Sequence, residues 1–184
     1  MRRITSQMLK PLLRNLSHIV FQPRRFSHKY MVRLAGETRD KKILELASGK
    51  LHKGEYYYSV KNYFEPSNEF IQSDIKEEYG HRIIDATTMK FKDEFDIILC
   101  MNLLEHVYDF QLAVDNIHDA LKTNGMAVII VPAFYPLHDE PYDFWRFTEH
   151  SLRKILHRFS INKIQHNGIR QYPFAYYVEA IKRD

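Results

Sequence analysis

The sequence predicts an α/β fold with a doubly wound, seven-stranded sheet and helices on both of its faces. Short apolar runs of strand length recur along the chain, and helical patterns separate several of them. The early runs also end at small or acidic residues. In open sheets of this kind, ligands bind at the carboxyl ends of the strands. We therefore expect a ligand site at that edge.

The first apolar run, residues 43–49, reads Ile-Leu-Glu-Leu-Ala-Ser-Gly and organises the predicted site. Its apolar part is typical of a buried parallel strand. The small residues that follow let a ligand approach the backbone closely, because no large side chain intervenes. The next three runs are residues 70–74, 82–85 and 95–101, and the first two of these end in an aspartate. Carboxylates are therefore expected beside the turn.

The rest of the chain continues the alternation. Asp109 precedes a helical pattern, which Asn124 and Gly125 are expected to end. Residues 126–131 predict a fifth strand, which ends at Pro132. Thr148 is a suitable N-cap for another helix. Residues 161–166 and 174–181 predict the last two strands. Between Gly49 and Glu69 the sequence predicts only a short or irregular helix, whose aromatic side chains either cover the ligand pocket or pack on the sheet.

The composition is that of a globular protein. A chain of 184 residues with 45% hydrophobic residues fits one domain with a sizeable core. The only cysteine, Cys100, lies in an apolar run, so the sequence provides no disulfide framework. No apolar stretch approaches the length needed to cross a bilayer. A reducing compartment, and hence a cytoplasmic location, is the simplest expectation.

The charge is distributed unevenly. Residues 1–36 contain eight basic residues and no acidic ones, whereas the remainder has 19 basic and 23 acidic residues. We therefore divide the chain into a basic amphipathic N-terminal arm, residues 1–36, and a domain, residues 37–184. The net negative domain is poorly suited to bind phosphates, so no nucleic-acid partner is expected.

Three interpretations of residues 1–27 remain open, because their apolar residues recur at helical spacing opposite basic ones. The segment is a helix packed on the domain, an arm that makes peripheral contact with a membrane surface or binds a partner, or a mitochondrial transit peptide. The last interpretation would place the protein in mitochondria.

From Lys42 to Leu156 the sequence resembles the class I S-adenosylmethionine-dependent methyltransferases. The resemblance lies in the first strand and its turn, the acidic strand ends, and the Leu-Glu-His-Val segment at residues 104–107 after strand four, which is typical of a small-molecule branch. The family turn usually has three glycines, and Ala47, Gly49 and Leu51 stand at those positions here. The resemblance implies a Rossmann-like sheet with an antiparallel last strand and S-adenosylmethionine as the cofactor.

The resemblance also implies which residues contact this cofactor. Glu45 is expected to contact the ammonium group of the ligand, directly or through water. The backbone N–H groups from Ala47 to Gly49 are expected to bind the carboxylate of the ligand, and Asp74 is expected to accept hydrogen bonds from the ribose diol. The adenine is expected to lie near Asp85 and Ala86, between Ile75 and Met89, and the methionyl part near Met101 and Asn102. For each acid taken alone, a solvated strand end is the alternative.

The segment after strand five resembles a Tyr-Pro-Leu-His…Pro…Asp-Tyr-Trp-Arg-Phe-Thr block of some bacterial methyltransferases, with Phe144 in place of the second tyrosine. In such folds this loop borders the acceptor site. His138 is the best candidate base, because imidazole titrates near neutrality. Asp143 orients that histidine or binds the acceptor, and the alternative for His138 is a purely structural role. Arg146 either pairs with an anionic acceptor or holds the loop through Glu105 or Asp143.

No metal site is expected, because the spacing of His138, Asp139, Asp143 and His150 matches no ligand signature. A nicotinamide dehydrogenase is disfavoured by the absence of a Gly-x-Gly-x-x-Gly turn. The expected function is therefore methyl transfer from S-adenosylmethionine to a small-molecule or glycan-type acceptor, at oxygen. The alternative is a catalytically silent fold that acts as a binding or scaffold module through its basic arm.

Overall fold

The computed structural model describes residues 23–52, 55–56 and 59–183. The helices are α1 (Pro23–Glu37), α2 (Phe110–Ala120) and α3 (Glu149–Ile155), and short 3-10 helices span Lys61–Tyr63, Glu77–Tyr79 and Leu104–His106. The strands are β1 (Lys42–Leu46), β2 (Leu51–His52), β3 (Glu55–Tyr56), β4 (Glu69–Asp74), β5 (Arg82–Ile83), β6 (Phe95–Met101), β7 (Leu121–Pro132), β8 (Phe159–Ile169) and β9 (Tyr172–Lys182).

Within the described residues, seven strands form one sheet in the order β5-β4-β1-β6-β7-β9-β8, and β2 pairs with β3 separately. Strands β5, β4, β1, β6 and β7 are parallel, whereas β9 runs antiparallel to both of its neighbours. The predicted seven-stranded sheet with an antiparallel last strand is confirmed. The chain order reverses at β1, so the carboxyl ends of β4, β1, β6 and β7 lie side by side at a topological switch point.

Both faces of the sheet are covered, as predicted. Ile98 and Ile129 face a core cluster that includes Ile117 of α2 and Leu152 of α3. On the opposite face, a second cluster includes Ile43 and Leu99 together with Met31 and Leu34 of α1. The central strands are buried on both sides, which explains why their sequences read as continuous apolar runs.

Helix α1 runs across the predicted boundary between residues 36 and 37. Its residues Met31, Leu34 and Ala35 are buried in the core, so this part of the predicted arm packs on the domain. Most of the predicted amphipathic segment, residues 1–22, lies outside the described residues, and its three interpretations remain predictions. None of the described helices combines the length and the apolar composition that crossing a membrane requires.

Helix α2 ends earlier than predicted. It stops at Ala120, and Asn124 with Gly125 lies inside β7 instead of at the helix end. Asn124 has a φ of 63°. A Cβ added at Gly125 would lie 2.8 Å from the backbone oxygen of Lys122. The pair therefore lies at the irregularity in the pairing of β7 with β6, and the close approach of the backbone there requires glycine.

Two smaller predictions are confirmed. Thr148 caps α3 through a capping box with Ser151. Residues 61–63 provide a short helix between Gly49 and Glu69. Of the aromatic residues in that stretch, Phe64 is buried in the core, and the Tyr63 hydroxyl lies 2.8 Å from Nδ1 of His28. The side chains of Tyr56, Tyr57 and Tyr58 lie outside the described residues.

Candidate active site

The turn after β1 has the conformation that its small residues allow. Ala47 and Gly49 both take a left-handed backbone, with φ values of 55° and 68°. The N–H of Ser48 donates to the carbonyl of Ser73 over 2.8 Å, which ties the turn to β4. Alanine at the first of the three glycine positions therefore adopts a conformation that glycine takes without strain.

Glu45 is buried, and both of its carboxylate oxygens accept hydrogen bonds from its own chain. Its Oε2 accepts the Ser48 hydroxyl over 2.7 Å, and its Oε1 accepts the Val60 N–H over 2.7 Å. Burial raises the pKa of this carboxyl, although these hydrogen bonds oppose the shift. The observed contacts hold the turn and the segment at Val60 together. Direct contact between Glu45 and the ligand ammonium remains a prediction.

Asp74 ends β4 and also contacts the turn. Its Oδ2 accepts the Gly49 N–H over 2.9 Å, and its Oδ1 accepts the Lys76 N–H over 3.1 Å. Each carboxylate oxygen has a second lone pair, so the side chain retains the capacity to accept two ribose hydroxyls. His81 completes this arrangement, with Nε2 2.7 Å from the carbonyl of Gly49.

The residues predicted for the adenine lie in the loop after β5. Asp85 is exposed, and its Oδ1 accepts both the N–H and the hydroxyl of Thr87 over 2.7 Å. Ala86 is buried, and its carbonyl accepts the Asn116 side-chain amide over 2.9 Å. Met89 is buried in the core, whereas Ile75 is 67% exposed. The loop is thus fixed internally, and the adenine contacts remain predictions.

Met101 and Asn102 lie where β6 leaves the sheet. Asn102 has a φ of 50°, and its N–H donates to the carbonyl of Ile130 over 2.8 Å. This pairing to β7 places both residues at the carboxyl edge, between the β1 turn and the loop that follows β7. Contact of these residues with the methionyl part of a cofactor remains a prediction.

The loop from Ala133 to Thr148 is anchored to the segment after β6. The carbonyl of Glu105 accepts the N–H groups of Phe144 and Trp145 over 2.8 and 3.2 Å. The indole N–H of Trp145 donates to the carbonyl of Tyr108 over 3.2 Å. The aromatic loop therefore lies over the Leu-Glu-His-Val segment, next to the predicted cofactor edge.

His138 and Asp143, the two predicted catalytic residues, are in contact. The His138 N–H donates to Asp143 Oδ2 over 2.9 Å, and Nδ1 of the imidazole lies 3.2 Å from the same oxygen. Arg146 binds both Asp143 oxygens, over 2.6 and 2.7 Å. The Arg146 guanidinium holds the pKa of Asp143 at about 2, against an opposing effect of burial. Of the two roles expected for Arg146, the structure contains the one that holds the loop.

Two further side chains lie beside this pair. Glu105 is almost fully buried, and burial raises its pKa to about 8. Among the described residues its Oε2 has no hydrogen-bond partner. Its Oε1 is 3.9 Å from Nε2 of His106, and the rings of His106 and His138 have centroids 4.9 Å apart.

A family model described as a methyltransferase domain matches residues 21–167. The chain belongs to this family. It is an S-adenosylmethionine-dependent methyltransferase, as the resemblance in its motifs implied.

Solved structures share the fold of this methyltransferase. The YcgJ protein from Bacillus subtilis has a TM-score of 0.63 and 16% identity over 87% of this chain and 99% of that chain. The Burkholderia thailandensis 1,6-didemethyltoxoflavin-N1-methyltransferase, with its acceptor and S-adenosylhomocysteine bound, has a TM-score of 0.59 and 17% identity over 100% and 93%. The N-methyltransferase NodS from Bradyrhizobium japonicum WM9, in complex with S-adenosylhomocysteine, has a TM-score of 0.63 and 14% identity over 88% and 88%. No protein of curated function matches the sequence significantly.

Several residues of the methyltransferase site were not predicted to act there. The side chains of Ser48, Ser73 and His81 support the turn through contacts between distant parts of the chain. The sequence suggests Glu105 as a partner for Arg146 and, together with His106, as a less favoured place for catalysis. One signal marks it in the sequence, namely an acidic residue directly after Leu103 and Leu104.

Proposed function

We propose that this methyltransferase transfers the methyl group of S-adenosylmethionine to a hydroxyl oxygen of a small-molecule or glycan-type acceptor. His138 is the base that takes the hydroxyl proton, and Asp143 positions it. The observation that carries this proposal is the contact between His138 Nδ1 and an Asp143 carboxylate that Arg146 already holds in place.

The cofactor is proposed to bind along the carboxyl ends of β4, β1 and β6. The turn from Ala47 to Gly49 offers backbone N–H groups to the ligand carboxylate, as the N–H groups of tight turns commonly do for anions. Asp74 adjoins this turn and accepts the ribose hydroxyls through its remaining lone pairs. Met101 and Asn102 then lie on the side of the aromatic loop, which directs the sulfonium toward His138.

The tautomer of His138 follows from its neighbours. Nδ1 faces the Asp143 carboxylate and, over 3.2 Å, the carbonyl of Pro136, and both of these groups only accept hydrogen bonds. Nδ1 therefore carries the hydrogen, and Nε2 keeps a lone pair that can accept a proton. A carboxylate behind a histidine also stabilises the imidazolium that forms on proton transfer.

In the proposed reaction, a lone pair on the acceptor oxygen forms the new bond to the methyl carbon while the bond from sulfur to that carbon breaks. The bonding pair stays on sulfur and leaves the neutral thioether S-adenosylhomocysteine. The hydroxyl proton moves to Nε2 of His138. In-line transfer of this kind depends mainly on positioning the two partners, which is the contribution of the turn and the aromatic loop.

The surroundings of His138 support a sugar-like acceptor. Tyr108, Phe134, Tyr142 and Phe144 are exposed on or beside the loop. The Tyr135 ring lies beside His138, with ring centroids 5.2 Å apart, and adds an aromatic face next to the polar groups of His138 and His106. Small-molecule sites commonly combine aromatic walls with a few polar groups that fix orientation.

The test is His138→Ala, with the exposed His150→Ala as the matched control. S-adenosylhomocysteine affinity, measured by calorimetry, should be unchanged in both variants. Formation of S-adenosylhomocysteine with a panel of monosaccharides, nucleotide sugars and phenols should fall about 10²–10⁴-fold in His138→Ala alone. The wild-type rate should rise with pH, because only neutral imidazole accepts a proton.

A structural role for His138 predicts a different result, namely a lower melting temperature and surviving activity with the wild-type pH profile. Retained turnover in His138→Ala would refute the base. A wild-type chain that binds neither S-adenosylmethionine nor S-adenosylhomocysteine would instead favour the silent scaffold.

A further inference from the structure

The segment after β6 and the loop after β7 bring three potential metal ligands together. Glu105, His106 and His138 each offer one ligand atom, and these atoms lie within 4.8 Å of one another. The carboxylate and one imidazole come from the short helix Leu104–His106, and the second imidazole comes from the loop 32 residues further along the chain. Two histidines and one carboxylate are a common ligand set for transition-metal ions.

Both histidines are already oriented as metal ligands usually are. A ligating histidine donates its second ring N–H to a carbonyl or carboxylate, which fixes the tautomer. Nδ1 of His106 lies 2.9 Å from the carbonyl of Tyr142, and Nδ1 of His138 lies 3.2 Å from Asp143 Oδ2. Each Nε2 is therefore the atom with the free lone pair, and Nε2 of His106 faces Glu105.

Glu105 lacks a counter-charge of its own. Its side chain is 1% exposed, and its Oε2 has no hydrogen-bond partner among the residues that the structure describes. The charge of Arg146 acts on Glu105, but Arg146 is bound through two hydrogen bonds to Asp143. Burying an ionised carboxyl group with one oxygen unpaired is costly, and a coordinated cation would compensate that cost.

We infer that Glu105, His106 and His138 bind a divalent first-row transition-metal ion. Imidazole nitrogens favour zinc, copper, iron or nickel over magnesium, calcium and manganese, which prefer oxygen ligands. Ligand atoms around tetrahedral zinc lie roughly 3.4 Å apart, so side-chain rotations that move the three ligand atoms by about 1 Å would complete the site. Three protein ligands leave a coordination position for water or substrate, as in catalytic sites. This ligand set shares only His138 with the residues His138, Asp139, Asp143 and His150, whose spacing in the sequence matches no metal-ligand signature.

This inference rests on the proposed function and changes the role of one residue in it. When an ion occupies the Nε2 lone pair, His138 is a ligand and the acceptor hydroxyl binds the ion directly. A bound cation lowers the pKa of a coordinated hydroxyl, so the proton passes to solvent water. The oxygen then displaces the thioether as described above, without any change of oxidation state.

The experiment uses the full chain after dialysis against EDTA, with Co²⁺ as a spectroscopic probe and Zn²⁺ as a competitor. We expect one ion per chain and visible d–d bands of bound Co²⁺. His106→Ala, His138→Ala and the nearly isosteric Glu105→Gln should each weaken binding by at least about tenfold. His150→Ala is the control and should bind the ion as the wild type does. Melting curves and S-adenosylhomocysteine affinity verify that each variant is folded.

His106→Ala distinguishes the effect of the metal ion from the effect of His138 as a base, because His106 has no part in the proton transfer to His138. Loss of both ion binding and metal-stimulated turnover in this variant would support the inference. The absence of stoichiometric Co²⁺ or Zn²⁺ binding, or binding that survives in folded His106→Ala and Glu105→Gln, would overturn it. Failure of the metal-free chain to bind S-adenosylhomocysteine would refute the proposed function, whatever the ion titration shows.

Discussion

Replacing Ala47 by glycine should stabilise the protein. Ala47 has a φ of 55°, and a left-handed backbone costs an L-residue about 1–2 kcal/mol. Glycine removes this strain, but it also increases the entropy of the unfolded chain, which lowers the free energy of unfolding by about 0.4–1 kcal/mol. The net gain is on the order of 0.5–1 kcal/mol, which raises the melting temperature of a domain of this size by about 1–4 °C.

The matched control is Gly49→Ala in the same turn, at a φ of 68°. This change introduces the strain that the first one removes, so its melting temperature should fall. Both variants are measured by thermal denaturation at one pH, with and without S-adenosylhomocysteine. Because Ala47 already has the conformation expected of glycine, Ala47→Gly should leave ligand affinity within about threefold of the wild type.

A lower melting temperature for Ala47→Gly would refute the argument from backbone strain. A tenfold gain in S-adenosylhomocysteine affinity would refute the second part of the reasoning. It would mean that the wild-type turn is held away from its binding conformation, and that the missing glycine affects function more than stability.

Two further predictions concern the cofactor and the arm. Asp74→Ala should weaken S-adenosylhomocysteine binding at least tenfold in calorimetry, because two hydrogen bonds to a charged group contribute about 1.5–3 kcal/mol each; unchanged affinity in a folded variant would place the ribose elsewhere. Removing residues 1–22, which spares the core contact of Phe26, should retain cofactor affinity and abolish sedimentation with anionic lipid vesicles. An insoluble truncated protein, or one that loses the cofactor, would show that these residues belong to the folded domain.

The fold was predictable because its strands are buried on both faces, and this burial leaves apolar runs such as residues 95–101 that are visible without a structure. The location of the predicted ligand site at the carboxyl edge of the sheet was also predictable, because Asp74 and the β1 turn each follow the end of a strand, and these strands are neighbours. Local signals also sufficed for Thr148, whose cap depends on a residue three positions away. In each of these cases the determining contacts are periodic or close in sequence.

The parts that were missed depend on contacts between distant residues. The partners of Glu45 include the N–H of Val60, which no spacing in the sequence indicates. Asn124 and Gly125 resemble a helix end, yet the pairing of Leu121 with Phe95 starts the strand earlier. The approach of His106 to His138 depends on how a long loop folds back on β6, and sequence periodicity contains no information about that path.

The position of Trp145 has a practical consequence. It is the only tryptophan in the chain, it lies in the loop over the site, and its indole N–H donates to the carbonyl of Tyr108 in the segment after β6. Its fluorescence therefore originates from this loop alone. Quenching or a spectral shift on adding a sugar, a cofactor or a metal ion would report rearrangement there without any label. Acceptors could thus be screened by emission before a product has been identified.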